Sequence, residues 1–175
     1  KPDFVLLNGE IPILYIETKD IGISLDKVEE SKQGREYRFG YENFVLTDYI
    51  EFRFYRNGSR YQEPIRVGEL DFKDRTIRTL PQNYEFLAQT LIQFTQSHKE
   101  PIKSATHLSK IMAGKALRIR DNIKEYLKEG TEVAKVYEMI KKSLVSDLSL
   151  DSFADMYAQT LVYGLFAARY NDESE

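Results

Sequence analysis

The spacing of hydrophobic residues changes near Thr79, and this change constrains the fold more than any other feature of the chain. Before it, short segments rich in aromatic and β-branched residues are separated by turn dipeptides such as Asn8-Gly9 and Asn57-Gly58, which is typical of strands and hairpins. After it, apolar residues recur every three or four positions, the spacing of amphipathic helices. The sequence therefore predicts an α/β front followed by an all-α helical domain.

The front of the chain predicts a small mixed sheet with a flanking helix. Strand-like segments run from Phe4 to Leu7 and from Ile13 to Lys19. A helix that Ser24 can cap continues to about Arg38, and further strand-like segments follow it. The order strand, strand, helix, strand, strand is that of a mixed sheet covered by a helix.

The back of the chain predicts four helices. The first begins near Pro81 and is interrupted by Pro101, and the second begins near Leu108 and ends at Gly130. Thr131 caps the third. No internal repeat and no low-complexity linker divides these segments, so we expect the front and the back to join near residues 75–80.

The last predicted helix, which begins at Ser152 with Asp155 three residues on, is apolar on nearly all sides from Phe153 to Phe166. A helix on a protein surface has a polar face. This helix is therefore either deeply buried within the chain or docked on something else.

Composition limits the chemistry and the partners. The chain has no Cys, which excludes disulfides and thiolate metal sites and suits a reducing cytoplasm. No apolar run approaches the roughly 20 residues that span a bilayer, so we expect no membrane partner. The net charge of −3 gives no overall basic field, and any DNA contact must come from local basic patches.

The segment "ILYIETK" places charged residues where a buried strand ends. Side chains alternate along a strand, so Tyr15, Glu17 and Lys19 share one face. Both faces begin apolar, which is typical of a central strand covered on both sides. Glu17 and Lys19 are therefore expected side by side at the end of a central strand.

Asp3 can join this pair only if the hairpin has the right register. A regular two-residue Asn8-Gly9 loop would put Asp3 opposite Leu14, on the wrong face. An odd-numbered loop or a bulge would move Asp3 to the face of Glu17. We therefore predict an odd loop with Gly9 at positive φ.

Two carboxylates and a lysine at one point predict a site for a hard divalent cation. Asp3 and Glu17 would bind Mg²⁺, or Mn²⁺ in its place, while Lys19 would assist the attacking water. The simpler interpretation is a Glu17–Lys19 ion pair on an exposed strand end, with Asp3 in a turn.

These residues carry a family resemblance. Pro2-Asp3, followed after thirteen residues by Glu17-Thr18-Lys19, resembles the motif of the PD-(D/E)XK nuclease superfamily. In "KQGREY" Gln33 and Tyr37 lie on one helix face, and the segment resembles the QxxxY motif of type I, type IIG and RecB-like nucleases. The resemblance implies a restriction-endonuclease-like sheet with Asp3, Glu17, Lys19, Gln33 and Tyr37 as catalytic residues. The alternative for Gln33 and Tyr37 is two ordinary helix residues.

Three further segments are similar to type IIG restriction–modification enzymes: "FADMYAQTLVYGLFAAR", "LSKIMAGKALRIRDNI" and "LTDYIEFRFYRNG". The resemblance implies a nuclease domain at 1–79 and a helical connector at 80–175. Methyltransferase and target-recognition signatures are absent from the sequence, so S-adenosylmethionine would bind only to a downstream domain of the same full-length chain. We also expect a truncated N-terminus, with one metal ligand of the family either missing or upstream of Lys1, so full metal occupancy and activity are expected of the full-length enzyme.

The resemblance makes double-stranded DNA the expected partner and the cytoplasm of a bacterium or archaeon the expected location. It leaves two alternatives open. One is a RecB-like repair nuclease whose helices form a DNA-binding cap, and the other is a catalytically degenerate nuclease fold that binds DNA or docks on a protein. In each case the residues expected to contact phosphates lie on the helix after the lysine strand. They are Lys27, Lys32, Arg35 and Arg38.

Overall fold

The computed structural model describes residues 1–96, 102, 104–127 and 130–172. The protein has a mixed N-terminal sheet followed by helices, as the change in hydrophobic spacing predicts. The strands are Phe4–Asn8 (β1), Ile11–Thr18 (β2), Asn43–Thr47 (β3), Glu51–Arg56 (β4), Ser59–Arg60 (β5), Ile65–Arg66 (β6), Gly68–Asp71 (β7) and Thr76–Thr79 (β8). The helices are Leu25–Glu30 (α1), Lys32–Gly40 (α2), Tyr84–Thr95 (α3), Ala105–Tyr126 (α4), Glu132–Ser143 (α5) and Leu150–Tyr170 (α6), with a 3-10 turn at Pro81–Asn83.

The main sheet has the strand order β1-β2-β3-β4-β5, with β6 also paired to β4. Strands β2 and β3 are parallel and the other pairs in this sheet are antiparallel. A parallel pair needs a crossover, which α1 and α2 supply. Strand β2 lies between β1 and β3, as expected for a strand that is apolar on both faces.

Hydrophobic clusters cover both faces of this sheet. On one face, Leu25 of α1 packs with sheet residues such as Phe44 and Tyr55. On the other, Phe94 of α3 packs with Leu14 and neighbouring side chains of β3, β4 and β6. The site at the end of β2 is therefore set in a strand that is held from both sides.

The single helix predicted from Ser24 to Arg38 is wrong, because the chain breaks at Ser31 into α1 and α2. The Ser31 hydroxyl accepts a hydrogen bond from the Gly34 amide at 3.0 Å and donates one to the Val28 carbonyl at 2.7 Å. Ser31 thus ends one helix and caps the next. The Ser24 side chain, by contrast, makes no capping hydrogen bond.

The β1–β2 hairpin reaches the register that the site requires by a bulge and not by its loop. Asn8 pairs with Ile11, so the loop is Gly9 and Glu10, and the odd-numbered loop was a wrong prediction. Gly9 has the predicted positive φ, at 62°. The register then shifts between Leu6 and Leu7, so that Phe4 pairs with Ile16.

The later helices begin at serine and threonine caps. The Ser104, Thr131 and Ser149 side chains accept hydrogen bonds from amides three residues on, at the starts of α4, α5 and α6. The cap of the last helix is therefore Ser149, three residues before the predicted Ser152. Pro101, expected to interrupt the first helix, lies outside the described residues.

The helical half packs directly on the front. Gly114 of α4 lies against α2, where an added Cβ would be 2.5 Å from the Phe39 carbonyl carbon, and α6 packs on α4. The boundary at 79/80 stays a prediction, since α3 contributes Phe94 to the sheet's own core. In the part of the chain described, no helix is long and apolar enough to cross a membrane.

Candidate metal centre

The Glu17 carboxylate is buried at the carboxyl end of β2. Its side chain projects toward the α1–α2 face, and the residue is only 6% exposed. Oε1 accepts a hydrogen bond from Lys19 Nζ at 2.5 Å. Oε2 is buried and has no hydrogen-bond partner. The ion pair of the simpler interpretation is thus present, but its carboxylate does not lie on an exposed strand end.

An unpartnered oxygen on a buried carboxylate is unfavourable, because it has left water without gaining a hydrogen bond. The large majority of buried polar side-chain atoms have a partner in the protein or in ordered water. Glu17 Oε2 is therefore free to accept a water or to bind a cation.

Asp3 immediately precedes β1, the strand that pairs with the strand of Glu17. One step beyond the Phe4–Ile16 pair, the register sets Asp3 opposite Glu17. Asp3 Oδ2 accepts hydrogen bonds from the Thr18 amide at 2.8 Å and the Thr18 hydroxyl at 2.9 Å. These two bonds, with the charge of Lys19, hold the pKa of the Asp3 carboxyl below its usual value.

Tyr37 of α2 reaches the same place from the adjacent helix. Gln33 Nε2 donates to the Tyr37 hydroxyl at 3.3 Å, and the amino group of Lys1 donates to it at 2.6 Å. Burial raises the pKa of Tyr37, and the charges of Glu17 and Asp3 raise it further, against the opposing effects of Gln33 and Lys19. The five residues of the two sequence motifs are therefore close enough to interact.

The basic residues expected to contact phosphates differ in availability. Arg38 is held by the Glu29 carboxylate at 3.1 Å, and its side chain is 13% exposed. Arg35 pairs with Glu30, whose backbone carbonyl it also contacts. Lys32 is exposed, 3.9 Å from its neighbour Glu36, and Lys27 is exposed on α1.

The donor set suits a cation that keeps much of its own water. Among the described residues there is no group of three or more His, Cys, Asp or Glu side chains that could hold a metal. Two carboxylates are available here, since Glu17 Oε2 has no partner and Asp3 uses only Oδ2 in its hydrogen bonds to Thr18. Mg²⁺ is commonly bound by one or two carboxylates with several waters, and the residues present fit that pattern.

Sequence reasoning missed the roles of Thr18 and Arg118. Thr18 occupies the variable position between Glu17 and Lys19, and nothing in the motif indicates that it holds Asp3. Arg118 of α4 stacks on Tyr41, 4.0 Å from the ring centre, and borders a cavity of about 360 Å³ that Tyr37 also lines. Its place in a basic–acidic run of the sequence gave no signal of this contact.

Comparison of the chain with protein-family models, with curated proteins and with solved structures found no match in any of the three.

Proposed function

We propose that this chain hydrolyses DNA phosphodiester bonds with the help of Mg²⁺ or Mn²⁺, as the endonuclease part of a type IIG-like restriction–modification enzyme. The single observation that carries the proposal is the buried, unpartnered Glu17 Oε2 beside Lys19 and Asp3. The parallel β2–β3 pair within antiparallel neighbours supports a restriction-endonuclease-like sheet. Residues 80–175 would connect this sheet to methyltransferase and target-recognition modules of the same full-length chain.

Each residue of the centre has a role in this proposal. Glu17 and Asp3 hold the cation, and the hydrogen bonds from Thr18 keep Asp3 ionised. A bound Mg²⁺ supplies charge that polarises the phosphoryl oxygen and lowers the pKa of a water ligand. Lys19 orients the attacking water and stabilises negative charge on the phosphoryl group. Water adds to phosphorus, one P–O ester bond breaks, and the leaving oxygen takes a proton.

Gln33 and Tyr37 support the centre from α2. Their mutual hydrogen bond fixes the phenol hydroxyl near the carboxylates. With its pKa raised, Tyr37 stays protonated at neutral pH and can donate a hydrogen bond to a phosphate oxygen. We infer a positioning role for Gln33, which contacts Tyr37 and not the reacting atoms.

The test measures metal binding first, because it does not depend on turnover. Glu17→Gln and Asp3→Asn each remove a charged ligand while preserving shape. We expect each to weaken Mn²⁺ and Mg²⁺ binding by about tenfold or more in calorimetric titration, since even the outer partners of metal ligands are worth roughly 10–100-fold in affinity. Nicking of supercoiled plasmid by the full-length enzyme should be lost in both variants.

Glu10→Gln is the matched control, because Glu10 is an exposed carboxylate in the β1–β2 loop. It should bind metal like the unaltered chain. Thermal unfolding of all three variants checks that the fold is retained. Metal affinity and nicking that are the same in Glu17→Gln as in the control would overturn the proposal and favour a degenerate nuclease fold that binds DNA without cleaving it.

A further inference from the structure

A cavity of about 360 Å³ opens beside the candidate metal centre, between the β1–β2 hairpin, α2 and α4. Tyr37 belongs to both places, because it lines the cavity while its pKa responds to the charges of Glu17 and Asp3. Tyr15 also lines the cavity, and it precedes Glu17 by two residues on the same face of β2, roughly 7 Å along the strand. The cavity is large enough for a small ring system, since ligand sites begin at about 300 Å³.

Tyrosine rings and one guanidinium form a wall of this cavity. The ring centres of Tyr15 and Tyr41 lie 4.0 Å apart, and the guanidinium carbon of Arg118 lies 4.0 Å from the centre of the Tyr41 ring. Tyr37 meets Tyr41 edge-on, with 5.5 Å between ring centres. We call Tyr15, Tyr37, Tyr41 and Arg118 the aromatic wall. A flat group that entered the cavity could stack against it.

The guanidinium of this wall is not neutralised by a carboxylate. Arg118 donates hydrogen bonds to the Gly40 carbonyl and the Tyr15 hydroxyl, and no carboxylate of the described residues forms an ion pair with it. A guanidinium has five N–H donors, and these two bonds leave others for a ligand. The aromatic wall therefore offers hydrogen-bond donors together with its flat surfaces.

Polar side chains of α4 continue the lining of the cavity. The residues of α4 that border it recur every three or four positions and so share one helix face: Gly114, Leu117, Arg118, Asp121, Asn122 and Glu125. At Gly114 this face packs tightly on α2, whereas Asp121, Asn122 and Glu125 are exposed. One face of the helix thus changes from close packing to carboxylates and an amide that a ligand can reach.

The charges of the lining favour a neutral polar ring over a phosphate. Three carboxylates, those of Glu36, Asp121 and Glu125, border the cavity together with the cations of Lys1 and Arg118. A nucleobase is flat and carries hydrogen-bond donors and acceptors on its edges. Carboxylates accept bonds from the amino groups of bases, and a guanidinium donates to their oxygen and ring nitrogen atoms. The lining therefore suits a base whose phosphate stays outside the cavity.

We propose that this cavity takes an unpaired nucleobase of the cleaved strand, stacked on the aromatic wall, while the adjoining phosphate lies at the candidate metal centre. The inference rests on the proposed function, and it adds how the strand is held next to the bond that breaks. Taking a base out of the duplex costs stacking and pairing, which new stacking on side chains offsets. A nucleotide held by its base has its phosphate positioned before water attacks.

The test compares two short duplexes that differ by a single nucleobase. One has a bulged deoxycytidine, and the other has an abasic residue at the same bulge, so their backbone charges match. Fluorescence anisotropy in EDTA measures both affinities without any metal. We expect the base to tighten binding about tenfold, within the range for a base stacked on aromatic side chains. Phosphate contacts that ignore sequence cancel in the ratio of the two affinities.

Asn122→Trp places a large ring in the cavity from an exposed position, and it should abolish the preference for the bulged base. Gln159→Trp, which replaces an exposed amide of α6, is the matched control and should keep the preference. Thermal unfolding of both variants checks that the fold is retained.

Asp121→Ala/Glu125→Ala tests the polar side of the cavity. It removes acceptors for the cytosine amino group, so the preference should fall several-fold, as the loss of hydrogen bonds to charged groups does. Glu132→Ala/Glu138→Ala, which removes two exposed carboxylates of α5, should leave the preference unchanged.

Equal affinity of the unaltered chain for the two duplexes would overturn the inference, and so would a chain that binds neither. A preference that stays unchanged in Asn122→Trp, or in Asp121→Ala/Glu125→Ala, would also overturn it. Mn²⁺ titration reports separately on the metal centre. Mn²⁺ binding without a base preference would leave the proposed function standing while this inference fails.

Discussion

At the scale of single residues, the candidate centre depends on how two carboxylates are held. Glu17 shares one oxygen with Lys19 and keeps the other free of hydrogen bonds. Asp3 is held by the amide and hydroxyl of Thr18. A carboxylate that is fixed and ionised before the cation arrives loses less freedom on binding, which favours affinity.

Thr18→Val should raise the pKa of Asp3. The substitution removes the Thr18 hydroxyl but keeps the side-chain shape and the backbone amide. The hydrogen bond from that amide is the larger of the two causes that lower the pKa of Asp3. The pKa should therefore move up only part of the way toward 3.8. Carbon-13 NMR titration of the Asp3 carboxyl measures the change.

The sign of the accompanying stability effect follows from linkage. Because the folded pKa of Asp3 lies below its unfolded value, its ionised form stabilises the fold above the unfolded pKa, and this contribution is lost as pH falls through the folded pKa. Thr18→Val should reduce that contribution, and it should weaken Mn²⁺ binding more at acidic than at neutral pH. Thr76→Val, at an exposed strand position, is the control. An Asp3 titration identical in the two variants would show that the Thr18 hydroxyl does not act on Asp3.

The sequence predicted part of this centre and could not predict the rest. Strand alternation placed Glu17 and Lys19 on one face, because a period of two is imposed by the pleat itself. The approach of Asp3 depends on a register shift between Leu6 and Leu7. Such a bulge depends on the packing and twist of both strands. The turn dipeptide Asn8-Gly9 predicts a hairpin but does not indicate a bulge further along it.

At the scale of elements, the break between α1 and α2 sets where Gln33 and Tyr37 point. Gly34, in the first turn of α2, is packed so closely that an added Cβ would lie 2.1 Å from the Val28 carbonyl oxygen and 2.9 Å from that of Glu29. The polar pattern from Ser24 to Arg38 suits one helix as well as two. The break follows from the tertiary fit of α1 and α2, which helical periodicity does not encode.

Gly34→Ala should destabilise the fold by about 1–3 kcal/mol or more, as overpacking of a tight contact does. The methyl group cannot avoid backbone atoms of α1, so the two helices must separate. Gly164→Ala on α6 is the matched control, because an added Cβ there meets nothing within 4 Å and alanine is favoured over glycine in a helix by up to about 1 kcal/mol. Urea unfolding measures both. A Gly34→Ala variant as stable as Gly164→Ala would contradict the close packing at the break.

At the scale of the whole molecule, the last helix has one part buried against other helices and another part exposed. The first turns of α6 bury Phe153, Ala154 and Ala158 against neighbouring helices. Further along, Leu165 and Tyr170 are largely exposed. The first turns are thus buried within the chain, as one interpretation of the apolar last helix predicted, whereas docking of its exposed part on something else stays a prediction. Its amphipathic pattern could not divide them, because the division depends on where neighbouring helices end.

Arg118 joins the two halves across the site. Its Nη1 donates to the Gly40 carbonyl at 2.8 Å and its Nη2 to the Tyr15 hydroxyl at 3.3 Å. The guanidinium also stacks on Tyr41, and burial raises the pKa of Tyr41 to about 12, against the lowering effect of the Arg118 charge. One side chain of α4 thereby contacts both β2 and the end of α2.

Arg118→Met should lower the free energy of unfolding by about 2–4 kcal/mol, because two charged hydrogen bonds and a half-buried cation–π contact are lost together. Methionine keeps much of the apolar stem, so the loss reports mainly on the guanidinium. Arg120→Met is the control, since Arg120 pairs only with adjacent Asp121 in the described contacts, and surface pairs contribute about 0–1 kcal/mol. Urea denaturation followed by far-ultraviolet circular dichroism measures both variants.

If the helices and the sheet are held together through Arg118, amide exchange in β2 and in α4 should quicken together in Arg118→Met. Exchange that quickens in α4 alone would mean that the sheet, with its candidate metal centre, is stable without the helical half.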